Sequence, residues 1–91
     1  MMIDPDAVGG LKIHHLIINF KDQKNVNIIL PYIPPSPPTK SGTHHYFIIK
    51  IIQKEYINPF YLSSRFIDFY RLLDIINPVK IIVLDSFQIH T

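Results

Sequence analysis

THHYFIIKIIQK, residues 43–54, is the stretch on which the fold turns. Five of its twelve residues are β-branched and two more are aromatic. Such side chains pack well on a pleated sheet and lose rotamer freedom in a helix. With a side-chain period of two, Tyr46, Ile48 and Lys50 face one way, and Phe47, Ile49 and Ile51 the other. The segment reads as the strongest strand of the chain. Directly before it runs YIPPSPPTKSG, residues 32–42. Proline locks φ and removes backbone donors, so this segment is a stiff loop, and Gly42 permits the turn into the strand. Its X-Pro bonds are candidates for the cis isomer. Pro35 to Lys40 also fits the PxxP-plus-cation pattern of polyproline ligands, although that pattern arises readily by chance among four prolines.

Upstream, Met1–Ile3 is apolar and DPDAVGG, residues 4–10, is a turn-rich loop. LKIHHLIINF, residues 11–20, reads as a second strand covered on both faces, because LIIN does not alternate. KDQKNVN (21–27) is a polar turn and NIIL (27–30) a brief apolar patch. Downstream, INPFY (57–61) is a break. SSRFIDFYRLLDII, residues 63–76, then changes to a helical period, with Ser63 or Ser64 as N-cap and Asn77-Pro78 as the stop. VKIIVLD (79–85) is a last strand and SFQIHT (86–91) a tail. The expectation is a mostly-β single domain over residues 1–91, with about four strands and one late helix.

The hydrophobic fraction of 47% and charged fraction of 18% describe a folding chain. Isoleucine supplies roughly one residue in five, which again favours strands. Net charge is +2 and the basic residues are scattered, so no stripe for nucleic acid is present. Cysteine is absent, which removes disulfides and thiolate metal sites. No apolar run is long enough to span a bilayer as a helix, and MMIDPDA lacks the basic start of a signal peptide. A soluble, cytoplasmic protein is expected.

Three clusters carry chemistry. Asp4 and Asp6 could orient a histidine or bind a cation, and equally could be ordinary turn formers. His14-His15 and His44-His45 each lie within a strand, where neighbours face opposite sides, so each pair offers one imidazole to a shared site. Two imidazoles with an aspartate suit a divalent metal, but the spacing matches no standard zinc motif. They suit an anion as well, because an aspartate that fixes one imidazole tautomer leaves the other ring nitrogen aimed outwards. Ser63, Ser64 and Ser86 show no partner pattern for a nucleophile, and no phosphate loop or cofactor motif appears. Neither catalysis nor a cofactor is expected.

In this order, the pieces resemble the phosphatidylethanolamine-binding protein family, which includes the Raf kinase inhibitor proteins. IDPDA (3–7) is similar to the family's DPDA loop, HHLIIN (14–19) to its His-His strand, and YIPPSPPTKSGTHHY (32–46) to its proline-rich segment ending in G-x-H-R-Y. RFIDFYRLLDIINPV (65–79) is compatible with the helix and Asn-Pro-Val turn near the family's C-terminus. The resemblance implies a β-rich sheet or sandwich with a small anion pocket at one end, acting by binding rather than catalysis. It carries over Asp4, Asp6, His15, His44 and Tyr46 as pocket residues, with Ser36, Pro37 and Pro38 at the mouth. His45 stands where the family has arginine, Val8 where it usually has proline, and Ile13 where it often has tryptophan. The family's N-terminal strands have no counterpart, and its last C-terminal element looks cut short. The expected protein is therefore a truncated member with exposed sheet edges that favour self-association. Its expected ligand is a phosphate-type anion or phospholipid head group, bound in a regulatory role. The alternatives are a protein–protein regulator or inhibitor that has lost ligand binding, and a metal-dependent hydrolase using His15, His44 and the aspartates.

Overall fold

The computed structural model describes residues 1–20 and 26–91, and most of the polar turn expected at 21–27 lies outside them. Five strands form one antiparallel sheet: β1 (Met2–Asp4), β2 (Lys12–Ile18), β3 (Asn27–Leu30), β4 (Thr43–Gln53) and β5 (Pro78–His90). Among the described residues a single short helix, α1 (Phe69–Ile76), precedes β5. The sheet order is β3-β2-β1-β4-β5. The fold is thus mostly β with one late helix, built on one sheet rather than a sandwich.

The shortest strand holds the centre. Ile3 pairs with Ile13 of β2 on one side and Phe47 of β4 on the other, so all of β1 is buried. Pairing Asp4 with Lys12 ends the strand beside the start of β4, which sets the acidic loop against His44. In β2, Ile13 and His14 point to opposite faces and both are buried, so the strand is covered on both sides there.

Two segments differ from the sequence reading. The helix starts at Phe69, and its N-cap, four or five residues later than expected, is Asp68, accepting from the Tyr70 and Arg71 N–H groups. Ser63 and Ser64 do not cap it. Arg65 has bound its backbone to β2, where its carbonyl accepts from Ile13 N–H at 2.7 Å. Its guanidinium donates to the carbonyls of Ile13, His14 and Pro31. Ser64 Oγ instead closes a local turn by accepting from Phe66 N–H. The stop falls where expected: Asn77 adopts the left-handed conformation (φ 48°) and its N–H donates to Leu73 O at 2.6 Å. The second difference is the tail. Residues 86–90 continue β5, pairing Phe87 with Tyr46 and Ile89 with His44. No described peptide bond is cis, the prolines of the 32–42 loop included.

The core joins Ile3, Ile13, Leu16, Ile18, Leu30 and Ile49 of the sheet to Leu72 and Ile76, the buried face of α1. Asn19 (φ 61°) seals one end as a buried polar hub. It bonds Gln53 at the end of β4, Asn27 at the start of β3 and both backbone groups of Ile57, so its buried polar atoms are satisfied. Among the described residues, no helix is long and apolar enough to cross a membrane.

Candidate functional site

At the opposite end, the β1–β2 loop, the proline segment and the start of β4 enclose a cavity of about 330 Å³. Asp4, Lys12, His14, Ser36, His44 and Tyr46 give it polar groups; Ala7, Val8, Ile33, Pro34, Pro37, Pro38 and Phe66 make the rest of the wall apolar. The proline segment is fixed into this wall at both ends. His14 Nδ1 donates to Ile33 O at 3.0 Å, and Thr91 Oγ1 donates to Pro38 O at 3.0 Å. A loop tied in this way is part of the domain, not a free polyproline ligand.

Asp4 is 2% exposed and both of its oxygens accept: Oδ1 from Asp6 N–H and Oδ2 from His44 Nδ1, each at 2.8 Å. The first bond is an Asx turn, so the turn-forming and histidine-orienting readings of Asp4 both hold. His44, 1% exposed, has its Nε2 2.7 Å from Ser41 Oγ. Tyr46 lies two residues on, on the same side of β4. Its ring stacks on Phe87 at 5.1 Å and meets the edge of His14 at 5.4 Å. Burial raises the Tyr46 pKa, and the charge of Asp4 and a hydrogen bond to it act in the same direction. Because a carbonyl only accepts, His14 Nδ1 carries a proton, and in the neutral ring Nε2 is left as an acceptor. Lys12 Nζ sits 5.9 Å from the Phe66 ring centroid and brings a cation to the wall.

Of the residues singled out from the sequence, the cavity wall gathers Asp4, Ser36, Pro37, Pro38, His44 and Tyr46. Asp6 and His15 lie outside it. Asp6 points to the surface and binds His45, accepting from its N–H at 2.8 Å and from Nδ1 at 2.7 Å. Those bonds hold its carboxyl below the usual range. His15 takes the other face of β2, against Tyr32, where burial and then the charges of the amino terminus and Arg65 lower its pKa. On the cavity wall His14 stands where His15 was expected. Alternation along a strand allows one histidine of the pair to enter but does not choose which; the pairing of β2 with β1, which shifts at a bulge between Met2 and Ile3, makes that choice. Lys12 shares the parity of His14 and could have been found from it. Ser41 was missed because its partners are distant or hidden by the turn.

Among the described residues, no group of three or more His, Cys, Asp or Glu is placed to hold a metal ion. The hydrolase alternative needed His15 and His44 on one site, and they lie apart. Comparison with protein-family models, curated proteins and solved structures finds no match to this chain.

Proposed function

We propose that this chain is a binding module whose cavity takes a phosphate-type anion, as a free phosphomonoester or a phospholipid head group, in the manner of the phosphatidylethanolamine-binding proteins it resembles. The observation that carries the reading is Lys12 on the wall of a cavity whose one carboxylate, Asp4, is buried and already bonded to His44 and to Asp6 N–H. With both Asp4 oxygens accepting, its charge is partly neutralised, and Lys12 supplies the cation that an anion needs. The apolar proline wall suits an organic group attached to the phosphate. On the same reading the module works in the cytoplasm.

Isothermal titration with phosphorylethanolamine tests this. Wild type is expected to bind, and Lys12→Ala to bind about tenfold more weakly, the worth of one charge-assisted contact. Equal heats from the two proteins would exclude the site. The outer edge of β5, with Val83 and Leu84 exposed, favours a second reading in which the sheet pairs with another copy of the chain.

A further inference from the structure

Ser41 stands three residues before His44, where Gly42 (φ 92°) turns the proline segment into β4. Its Oγ is 2.7 Å from His44 Nε2, and His44 Nδ1 is 2.8 Å from Asp4 Oδ2. Hydroxyl, imidazole and carboxylate therefore form one chain, in the order nucleophile, base and orienting acid.

Proton accounting sets the direction of that chain. A carboxylate accepts, so His44 Nδ1–H donates to Asp4, and the neutral ring offers Nε2 as an acceptor. The Ser41 hydroxyl has a competing acceptor in Pro38 O, at 2.6 Å. That carbonyl also receives Ser41 N–H at 3.1 Å and Thr91 Oγ1 at 3.0 Å, so it does not depend on the hydroxyl alone. For buried Nε2, Ser41 is the one hydroxyl in reach among the described residues. Rotation of the hydroxyl about its Cβ–Oγ bond carries the proton from Pro38 O at 2.6 Å to His44 Nε2 at 2.7 Å, the arrangement in which the oxygen can be activated. Ser41 itself is half-buried and open to solvent. The next amide, Gly42 N–H, donates to nothing among the described residues, and a Cβ at Gly42 would meet open space. That N–H, on the residue after the nucleophile, is the donor left for an oxyanion.

We propose that Ser41 is an acylatable nucleophile for small carboxylic esters, with His44 as general base and Asp4 holding its tautomer. Ser41 Oγ bonds to the ester carbonyl carbon while its proton passes to His44 Nε2. The bond from that carbon to the alkoxy oxygen then breaks, and the alcohol leaves with the proton from His44. Water repeats the sequence on the acyl-serine, releasing the carboxylic acid and restoring the hydroxyl. No redox change occurs. This activity goes beyond anion binding, sharing His44 and Asp4 with it but not requiring a phosphate.

A fluorophosphonate probe and p-nitrophenyl acetate test it, each followed by mass mapping of the modified peptide. The expected result is one label on Ser41 and a p-nitrophenol burst equal to the protein present. Ser41→Ala should lose both while keeping its circular dichroism spectrum. Asp4→Asn should slow acylation about 100-fold or more, the range of a general base deprived of its partner. Should Asp4→Asn fail to fold, the Ser41 map and Ser41→Ala decide alone. Absence of label, label only on other residues, or an unchanged burst in Ser41→Ala overturns the proposal.

Discussion

Asp4 spends both oxygens on protein donors while almost wholly withdrawn from water. Replacing it with alanine strands the buried His44 Nδ1–H, which costs about 1–3 kcal/mol. The urea midpoint is expected to fall with the slope unchanged. Asp6, two residues on, has the opposite character: exposed, and bound to His45. Its folded pKa lies below the unfolded value of 3.8, so the stability it adds is complete above that value and is lost as pH falls through the folded pKa. His15 acts on a higher window with the same sign. Burial disfavours its charged form, so the loss begins as pH falls through the unfolded value of 6.5. The melting temperature should therefore drop in two stages on acidification. His15→Gln should flatten the stage that opens near pH 6.5, and Asp6→Asn the stage below pH 4. A melting curve series from pH 8 to pH 3 on the two variants checks this; unchanged profiles would contradict both assignments. At this scale the sequence showed which residue types matter but left the choice between His14 and His15 open. That choice lies in the pairing of one strand with another, which no local pattern contains.

The elements were legible to the extent that their periodicity was local. β4 announces itself by β-branched alternation, and α1 by apolar spacing together with the Asn77-Pro78 stop. The helix start was misplaced because SSRFID continues the apolar spacing while Arg65 is held to β2 by backbone and guanidinium together. A long-range tie of this kind overrides propensity. Capping separates the two readings by experiment. Asp68→Ala should cost about 1 kcal/mol, the usual worth of an N-cap, whereas Ser63→Ala should change stability by no more than about 0.5 kcal/mol. Urea denaturation of both variants decides between them, and a larger loss in Ser63→Ala would place the cap elsewhere. The end of β5 was hidden for a related reason. SFQIHT mixes polar and apolar residues as a tail might, and its strand character comes from pairing with residues 43–47 across the sheet.

Across the whole molecule, a small core and one sheet leave β5 as an outer strand of 13 residues. Val83 is 56% exposed and Leu84 61%, so the edge is apolar as well as long. An outer strand with free backbone groups pairs readily with another. Self-pairing in antiparallel register has a charge-matched solution, with Lys80 of each copy opposite Asp85 of the other. The extra residue at Leu84, where the β4–β5 register shifts between Asp85 and Val83, kinks this edge and works against a tight fit. The expected outcome is weak, concentration-dependent association rather than a permanent dimer. Sedimentation velocity over a hundredfold range of protein concentration should show a rising average mass for wild type. In Val83→Lys, whose stability should stay within about 0.5 kcal/mol because the side chain is exposed, the mass should stay constant. Lys80→Asp should also weaken association by setting carboxylates opposite one another, and Lys80→Asp combined with Asp85→Lys should restore it. Recovery in the double variant would identify this register specifically, whereas loss in all three variants would show that the edge associates in another alignment, and identical sedimentation throughout would mean that it does not pair with itself.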